Sequence, residues 1–600
     1  MHPRLPRLPA IAPAQALPRL RGRALAWGLV AASASASMAA CGSTNPRPST
    51  TGEDSRSTAP DPPAGDETKA QFDLYMFGRV LGTIAPCGCT TEPLGGLQYA
   101  MGFIDASSDP DARLVVEPGS FLYPDPGGPE WPTNEPTWAQ AQQRAQTLQT
   151  RFSALGEHLV SGLGPIDTLS PTGARATSVY ALPRVLANLT TPAEGIGALP
   201  KHELRTLQDE GRTLQVGVTA VVDPAAPDAD KLGALSDPIE ALEAEVAAMR
   251  KAGAHVTIAL VHAERPFVED VAKQVDGLDV AVVGIVDSLD RARIGTPTAK
   301  LSDTFIVEAG EQLQTVTHLR LTITGDAPAS TSDWFVVPPK SVRAEELARV
   351  QARLDKFEAD AGADPKFLEG LRAERDELKK ALDSDPDADR VAVFDQVKIT
   401  CKLPVDDTAK DRLKSYNDWV ADQNKKLFAG VKPPEPEKGE PTYVGDDECE
   451  TCHEEALAFW KTTVHAGAYE TLVETNQQYD LSCVGCHVTG FRKPGGSEVV
   501  ENEHLRDIQC ETCHGPGSQH VAEPEKGGKV LAIRLDAESD VCGECHTPEH
   551  SDTFEYDAYM RDILGEGHGK ARRDALGDGP TGAKLRAEGL AKAGGACKKM

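Results

Sequence analysis

The sequence predicts a multidomain protein: an α/β layered domain, a charged helical hairpin as a spacer, and a smaller, mostly α-helical domain near the C-terminal end. Three observations support this prediction. The chain has 600 residues, whereas a single domain usually has about 100–200. Short β-branched runs alternate with amphipathic stretches in the first half. Eight of the 13 cysteines fall between residues 449 and 545, which sets that region apart.

The composition excludes several classes of protein. Charged residues make up 26% and hydrophobic residues 40% of the chain, which is typical neither of a disordered nor of an integral membrane protein. The net charge is −29, from 62 basic and 91 acidic residues. So large an acidic surplus argues against nucleic acid as a partner and favours either solubility or a basic protein partner.

The first 40 residues are typical of an export signal. Arginines without acidic residues precede an apolar stretch, 24–40, that is too short and too rich in Ser and Ala for a transmembrane helix. Residues 38–42, Met-Ala-Ala-Cys-Gly, resemble the lipobox of bacterial lipoproteins. The resemblance implies a lipid anchor on Cys41; an ordinary secretory signal with an incidental cysteine is the alternative. Residues 41–68, rich in Ser, Thr and Pro, follow as a disordered tether.

Residues 69–330 carry the pattern of an α/β layered domain. Amphipathic helices are expected over 239–252 and 266–275, between β-branched runs that are suited to buried parallel strands. The runs of this kind are 114–116, 214–222, 256–261 and 280–283.

The pattern becomes helical over residues 331–430. Apolar residues recur at helical spacing within 342–384, and a further helix is expected over 408–428. We interpret this segment as a helical hairpin that serves as a spacer or docking element. A Pro-rich linker, the last domain and a Gly-, Ala- and Lys-rich flexible tail are predicted over 431–442, 443–570 and 571–600.

Four Cys-x-x-Cys-His motifs mark the last domain. This spacing lets two thiols add to the vinyl groups of one haem, while the adjacent histidine ligates the iron. Zinc is the main alternative, but zinc sites do not require a histidine after every second cysteine. The sequence therefore predicts four covalently attached haem c groups, with cysteines Cys449, Cys452, Cys483, Cys486, Cys510, Cys513, Cys542 and Cys545 and proximal ligands His453, His487, His514 and His546.

Five further histidines in this domain are candidates for second axial ligands. Ligation by two histidines saturates the iron and favours electron transfer, whereas an open face permits substrate binding. The candidates are His465, His520, His568, His504 and His550. Each could instead be an ordinary surface histidine, and this alternative applies above all to His504 and His550. Residues 441–570 carry a net charge of −17, which would steer a basic redox partner.

The last domain resembles the tetrahaem cytochromes c of the nitrifier hydroxylamine pathway. The segments that carry the resemblance are 459–460, 464–466, 486–491, 509–517, His520 and 563–569. The resemblance implies three haems with two histidine ligands each, with distal ligands at His465, His520 and His568, and one five-coordinate haem. His504 and His550 are extra to the family pattern.

The first domain resembles 5′-nucleotidase-like metallophosphoesterases that precede haem domains in exported multihaem proteins. Residues 85–89, Ala-Pro-Cys-Gly-Cys, and 95–97, Gly-Gly-Leu, carry this resemblance. The usual metal-binding Asp and His positions are replaced, and His262 and Asn188 are what remains besides scattered acidic residues. One histidine cannot organise a two-metal site, so we expect an inactive binding or docking module.

Four cysteines have no role assigned by the sequence: Cys87, Cys89, Cys401 and Cys597. A disulfide between Cys87 and Cys89 would be strained. Four alternatives stay open for these two cysteines: pairing with Cys401 or Cys597, a soft-metal site, a contact with a haem edge, and a structural turn.

For the whole protein we predict an exported, lipid-anchored electron carrier without catalytic side chains. The alternatives are an oxidoreductase with one open iron that acts on small nitrogen compounds, and an active phosphoesterase.

Overall fold

A computed structural model describes residues 69–86, 91–126, 132–169, 182–285, 299–325, 334–359, 364–383, 388–523, 525–526, 529–530, 533–547, 550–595 and 597. The predicted signal, Cys41, the tether, Cys87 and Cys89 lie outside the described residues. All described residues belong to one compact unit, Asp66–Met600. Among the described helices, none combines the length and the apolar character that crossing a membrane requires.

Two β-sheets form the centre of the first domain. Their strands are β1 Lys69–Met76, β2 Arg113–Glu117, β3 Leu159–Gly162, β4 Arg184–Val185, β5 Leu189–Pro192, β6 His202–Asp209, β7 Arg212–Val222, β8 Gly233–Leu235, β9 Val256–Glu264, β10 Val280–Ile285, β11 Ala299–Leu301, β12 Thr304–Val307, β13 Thr315–Thr324, β14 Phe335–Val337 and β15 Arg390–Lys398. One sheet has the order β14-β15-β13-β1-β2-β3-β4 and the other β11-β12-β10-β9-β7-β6, while β5 and β8 form a separate pair.

Side-chain alternation along the strands gives each sheet two apolar faces. In β1, Phe72 and Leu74 point to an inner layer shared with Val216 and Ile258 of the other sheet, whereas Tyr75 points outward. Buried strands of this kind need cover on both faces. The two sheets therefore pack face to face, with helices on both outer sides.

The remaining elements of this domain are helices, and side chains cap several of their N-termini. These are α1 Leu97–Ser107, α2 Glu135–Ser153, α3 Pro238–Lys251, α4 Arg265–Gln274, α5 Lys340–Glu358, α6 Pro365–Asp383 and α7 Asp407–Leu427. The Asp237 side chain accepts hydrogen bonds from two backbone N–H groups of α3, and Asn134 forms a capping box on α2. Helices α1, α2 and α7 cover one sheet, and α3 and α4 cover the other. The predicted α/β layered domain is confirmed.

The predicted boundary at residue 330 is wrong. β15 pairs antiparallel with β13 from Thr315↔Lys398 to Ile323↔Arg390, and β14 extends the same sheet. Helix α7 packs against α2 of the first domain. The expected hairpin exists as α5 and α6, but it is an insertion between two strands of the first sheet. The spacer assigned to 331–430 is thus mostly part of the first domain.

The last domain is mostly helical, as predicted, and its apolar core is very small. Its elements are α8 Asp447–Trp460, α9 Ala468–Val473, α10 Cys510–His514, α11 Ser518–Ala522, β16 Glu525–Lys526, β17 Lys529–Val530, α12 Ser539–Gly543 and α13 Tyr556–Ile563. Among the described residues, the buried cluster here comprises Tyr469, Val484, Val488 and Val499. So few apolar side chains cannot hold a domain of this length together.

The segment expected to be a flexible tail is structured. It forms α14 Lys570–Ala575 and α15 Gly582–Lys592, and Cys597 is joined by a disulfide to Cys401 with a Cα–Cα distance of 5.7 Å. The Gly- and Ala-rich composition is what suggested a tail. The disulfide joins residues 196 positions apart, and no local sequence pattern predicts a pairing over such a separation. Two of the unassigned cysteines thereby gain a structural role.

Candidate haem-binding site

The motifs lie on short helical turns. The first is part of α8, whose backbone leaves helical geometry at His453, and the third forms α10. The fourth begins in α12, and the second contains a 3-10 turn over Val484–Cys486. Positions i, i+3 and i+4 of a helical turn lie on one side. This turn therefore presents both thiols and the histidine of a motif to the same space.

Two pairs of histidines from different parts of the domain face each other. The ring centroids of His453 and His520 are 6.3 Å apart, and those of His465 and His546 are 6.1 Å apart. Bonds from a metal to imidazole nitrogen are about 2.0–2.1 Å long, so two imidazoles on opposite sides of one metal have centroids roughly 6 Å apart. Both pairs fit a single iron between them.

His514 and His568 lie within electrostatic range of each other. Burial and then the charge of His514 lower the pKa of His568, which places the two imidazoles near each other. The Nδ1 atoms of His520 and His568 are buried and have no hydrogen-bond partner within the described part of the chain. Buried polar atoms normally have a partner, so orphaned ring nitrogens suit ligands of a group that the protein binds. The predicted distal ligands His465, His520 and His568 thus fit haem iron, and ligation itself stays a prediction.

Three proximal histidines are held through the ring nitrogen Nδ1, and Nε2 is the nitrogen that would ligate the iron. The Nδ1 atoms of His487 and His514 lie 2.6 Å and 2.7 Å from the carbonyl oxygens of Ala468 and Arg534. Nδ1 of His546 lies 3.0 Å from Ser551 Oγ. A carbonyl accepts a hydrogen bond from Nδ1–H, which leaves Nε2 free for a metal. These contacts orient the rings for ligation.

The other candidate ligands are not paired. His504 and His550 are exposed, and neither has a ring contact with a motif histidine in the described residues. His504 instead contributes its carbonyl oxygen, which accepts a hydrogen bond from Gln509 Nε2 at 3.0 Å. His487 likewise has no histidine ring opposite it in the part of the chain that the structure describes.

The cysteines show which motifs are neighbours. The thiols of Cys449 and Cys510 lie next to each other, and so do those of Cys486 and Cys545. Cys513 lies within electrostatic range of Cys542. The motifs therefore follow each other in space in the order first, third, fourth and second.

Residues to which the sequence assigned no role in binding haem hold this arrangement. The Glu511 carboxylate, inside the third motif, accepts hydrogen bonds from the N–H groups of Gly445 at 2.8 Å and Gly517 at 2.6 Å. The Trp460 indole donates to the Ile508 carbonyl at 2.8 Å. Glu511 occupies a variable position of the haem motif, so the motif alone gives no sign of its role.

Side chains of the first domain form hydrogen bonds with the loop before the second motif. Gln140 Nε2 of α2 donates to Asp480 Oδ1 at 2.6 Å, and Asn424 Nδ2 of α7 donates to the Tyr479 carbonyl at 2.8 Å. Gln140, Asn424 and Asp480 are all buried. These contacts join positions more than 50 residues apart, so sequence spacing could not reveal them.

In the first domain, an arginine lies between two buried acidic side chains close to His262. Arg184, 1% exposed, pairs with Glu117 at 3.1 Å and with Asp167 at 2.9 Å. Nδ1 of His262 lies 3.2 Å from the Gly119 carbonyl oxygen, and burial followed by the charge of Arg79 lowers its pKa to about 3. A guanidinium among the acidic groups repels metal ions, and the described residues contain no cluster of three metal-ligating side chains. The residues present do not fit a two-metal centre.

Comparison with known proteins assigns the last domain. Residues 448–515 match the family "Cytochrome c554 and c-prime". A curated relative, cytochrome c-554 of Nitrosomonas europaea, is 33% identical over 105 residues, which is 15% of this chain and 45% of the relative. The cytochrome c554 match indicates covalently bound haem c in this domain. The chain spans less than half the length of this relative.

Solved structures similar to the first part of the chain include phosphoesterases. The calcineurin-like phosphoesterase YfkN from Bacillus subtilis is 16% identical, covers 44% of this chain and 88% of its own, and has a TM-score of 0.32. A 5′-nucleotidase precursor from Thermus thermophilus is 14% identical, covers 70% of this chain and 68% of its own, and has a TM-score of 0.38. The likeness concerns the fold.

Proposed function

We propose that the protein is an exported, membrane-anchored electron carrier that relays electrons through four covalently attached haem c groups. Haem iron supplies a one-electron couple, and this chain's residues would hold and orient it. The observation that carries the proposal is the spacing of 6.1–6.3 Å in two histidine pairs. Iron with a histidine on each face has no site for substrate, which favours electron transfer.

The order of the motifs supports the same function. Thiols of the first and third motifs touch, as do those of the second and fourth, and the third and fourth lie side by side. Thioether bonds fix each haem at its cysteines, so these contacts would bring the haems together in a continuous row. A row of this kind suits transfer from one partner to another.

Location and partner rest on sequence together with one structural feature. The disulfide between Cys401 and Cys597 is typical of a protein outside the cytoplasm, where haem c is also attached. Acylation of Cys41 would anchor the chain to a bacterial membrane at the periplasmic side or the cell surface. The net charge of −17 over 441–570 favours a basic redox partner.

Haem content and spin state test the proposal. We expect the purified full chain to carry four covalent haems by its pyridine haemochrome spectrum, and a Cys483→Ser, Cys486→Ser variant to carry one fewer. His520→Ala should convert one haem from low to high spin in electron paramagnetic resonance. His504→Ala is the matched control and should leave the spectrum unchanged. A protein without covalent haem contradicts the proposal.

A second candidate function is favoured by His487. No histidine ring lies opposite it among the described residues, so the haem of the second motif would keep one open face. The protein would then act as an oxidoreductase on small nitrogen compounds. Carbon monoxide added to the reduced protein should bind about one haem in four. If no carbon monoxide binds, the oxidoreductase function is rejected and electron transfer is the function that stands.

A further inference from the structure

The C-terminal helix α15 lies against the site of the fourth motif, outside the region that matches the family. A Cβ atom on Gly582 would lie 2.6 Å from Tyr559, and one on Gly589 would lie 3.1 Å from Thr553. The Ala583 N–H donates to Asp562 Oδ2 at 2.6 Å. Helix α15 is thus packed closely on α13 and the loop before it.

Arg586 lies on the packed face of this helix. Positions 582, 586 and 589 follow the i, i+4, i+7 spacing that places side chains on one side of a helix. The same face reaches His546, because the Tyr559 ring packs on the His546 imidazole with centroids 5.4 Å apart. Arg586 therefore points towards the histidine pair of the fourth motif.

Electrostatics agree with this placement. The guanidinium of Arg586 lies within electrostatic range of both His465 and His546. One guanidinium is thus within range of both imidazoles that would ligate the same iron.

The guanidinium of Arg586 has an unused donor. Its Nε atom is buried and has no hydrogen-bond partner in the part of the chain that the structure describes. A buried N–H of a cation is costly without an acceptor, and the best acceptor is a carboxylate that takes two hydrogen bonds from the planar guanidinium. Haem carries two propionate carboxylates at its edge, and the fourth motif would place one haem here.

We propose that Arg586 binds a propionate of the haem held by the fourth motif, so that the disulfide-anchored C-terminal helix is part of a haem site. This rests on the proposed attachment of haem. The charge balance of the segments agrees: residues 571–600 have seven basic and three acidic residues, against the net −17 of 441–570. A cation near the iron stabilises the reduced form, which carries one positive charge less, and so raises the reduction potential of this haem.

A spectroelectrochemical titration of the full holoprotein tests the proposal. In Arg586→Gln, the reduced-to-oxidised ratio of one haem at fixed potential should fall on the order of tenfold, which is about 59 mV for a one-electron couple. The low-spin signals of all ligated haems should persist. The matched control is Lys584→Gln, which removes the same charge from an exposed position of the same helix and should shift no couple.

The outcomes separate the two proposals. A purified protein without covalent haem defeats the proposed function, whereas full haem content with an unchanged couple in Arg586→Gln overturns the role of Arg586 alone. An equal shift in Lys584→Gln also overturns it. If Arg586→Gln does not accumulate, Arg586→Lys decides: losing the planar guanidinium should lower the same ratio about threefold, and an unchanged ratio overturns the proposal.

Discussion

Two buried groups of polar side chains, one in each domain, differ in what lies opposite them. In the first domain, Glu117, Asp167 and Arg184 pair with one another. In the last domain, the buried ring nitrogens of His520 and His568 have no partner among the described residues. The charges of the first group are paired within the protein, whereas the ring nitrogens of the second group suit ligands of a bound group. Ion pairs within the protein leave no ligand free for a metal among these described residues of the first domain, whereas ring nitrogens without a partner in the described part of the last domain are available to a bound group.

Withholding haem should have the largest effect, because it should unfold the last domain and leave the first domain folded. In cells that cannot attach haem c, we expect residues 443–595 to stay largely unfolded because their apolar cluster has four buried residues. The first domain should fold, since its two sheets bury their own core. Limited proteolysis followed by mass spectrometry measures both. Protease resistance of the haem-free last domain would contradict the comparison.

Removing the disulfide tests how far the two regions depend on each other. For a loop of 196 residues, chain entropy predicts a loss of about 5 kcal/mol when Cys401 and Cys597 are both replaced by serine. We expect the helices after residue 570 to become protease-sensitive and the melting temperature to fall. Thermal unfolding followed by circular dichroism checks this, with the untreated and the chemically reduced wild type as references. Equal melting curves would show that the helices are held by packing alone.

Arg184→Met would break the closed arrangement of the first domain. The substitution leaves the Asp167 carboxylate buried without its counter-charge and removes a hydrogen-bond donor from Glu117, and breaking a buried pair in this way typically costs about 3–5 kcal/mol. We expect earlier unfolding of the first domain with an unchanged haem spectrum. Arg349→Met, at an exposed position of the helical hairpin, serves as the control. A simultaneous loss of haem absorbance would mean that the domains do not respond separately.

The smallest expected effect concerns pH. Burial, opposed by Arg184 and reinforced by Asp167, raises the pKa of Glu117 from 4.5 to about 8. A raised folded-state pKa contributes stability that is complete below about pH 4.5 and is lost as the pH rises through 8. Glu117→Gln should therefore flatten the fall in melting temperature between pH 5 and 8. Glu157→Gln, at an exposed site, should retain the wild-type slope.

The sequence predicted what depends on local spacing. The haem motifs, the strands around 256–261 and 280–283 and the helices of the hairpin follow from patterns of two to four residues, and the structure contains these elements. The boundary at 330 failed because β15 pairs with β13 across an inserted hairpin. Likewise, the hydrogen bond from Gln140 to Asp480 and the position of Arg586 beside the fourth motif depend on contacts between distant segments, which leave no periodic signal.

The disulfide also changes what a single cut can do to the protein. Residues between Cys401 and Cys597 form a closed covalent ring that contains all four Cys-x-x-Cys-His motifs. One protease cleavage within this ring opens it but releases no fragment, because each half stays bonded at one of the two cysteines. The haem-bearing segment would therefore remain attached to the first domain after a first nick, and a gel would show the nick only after reduction.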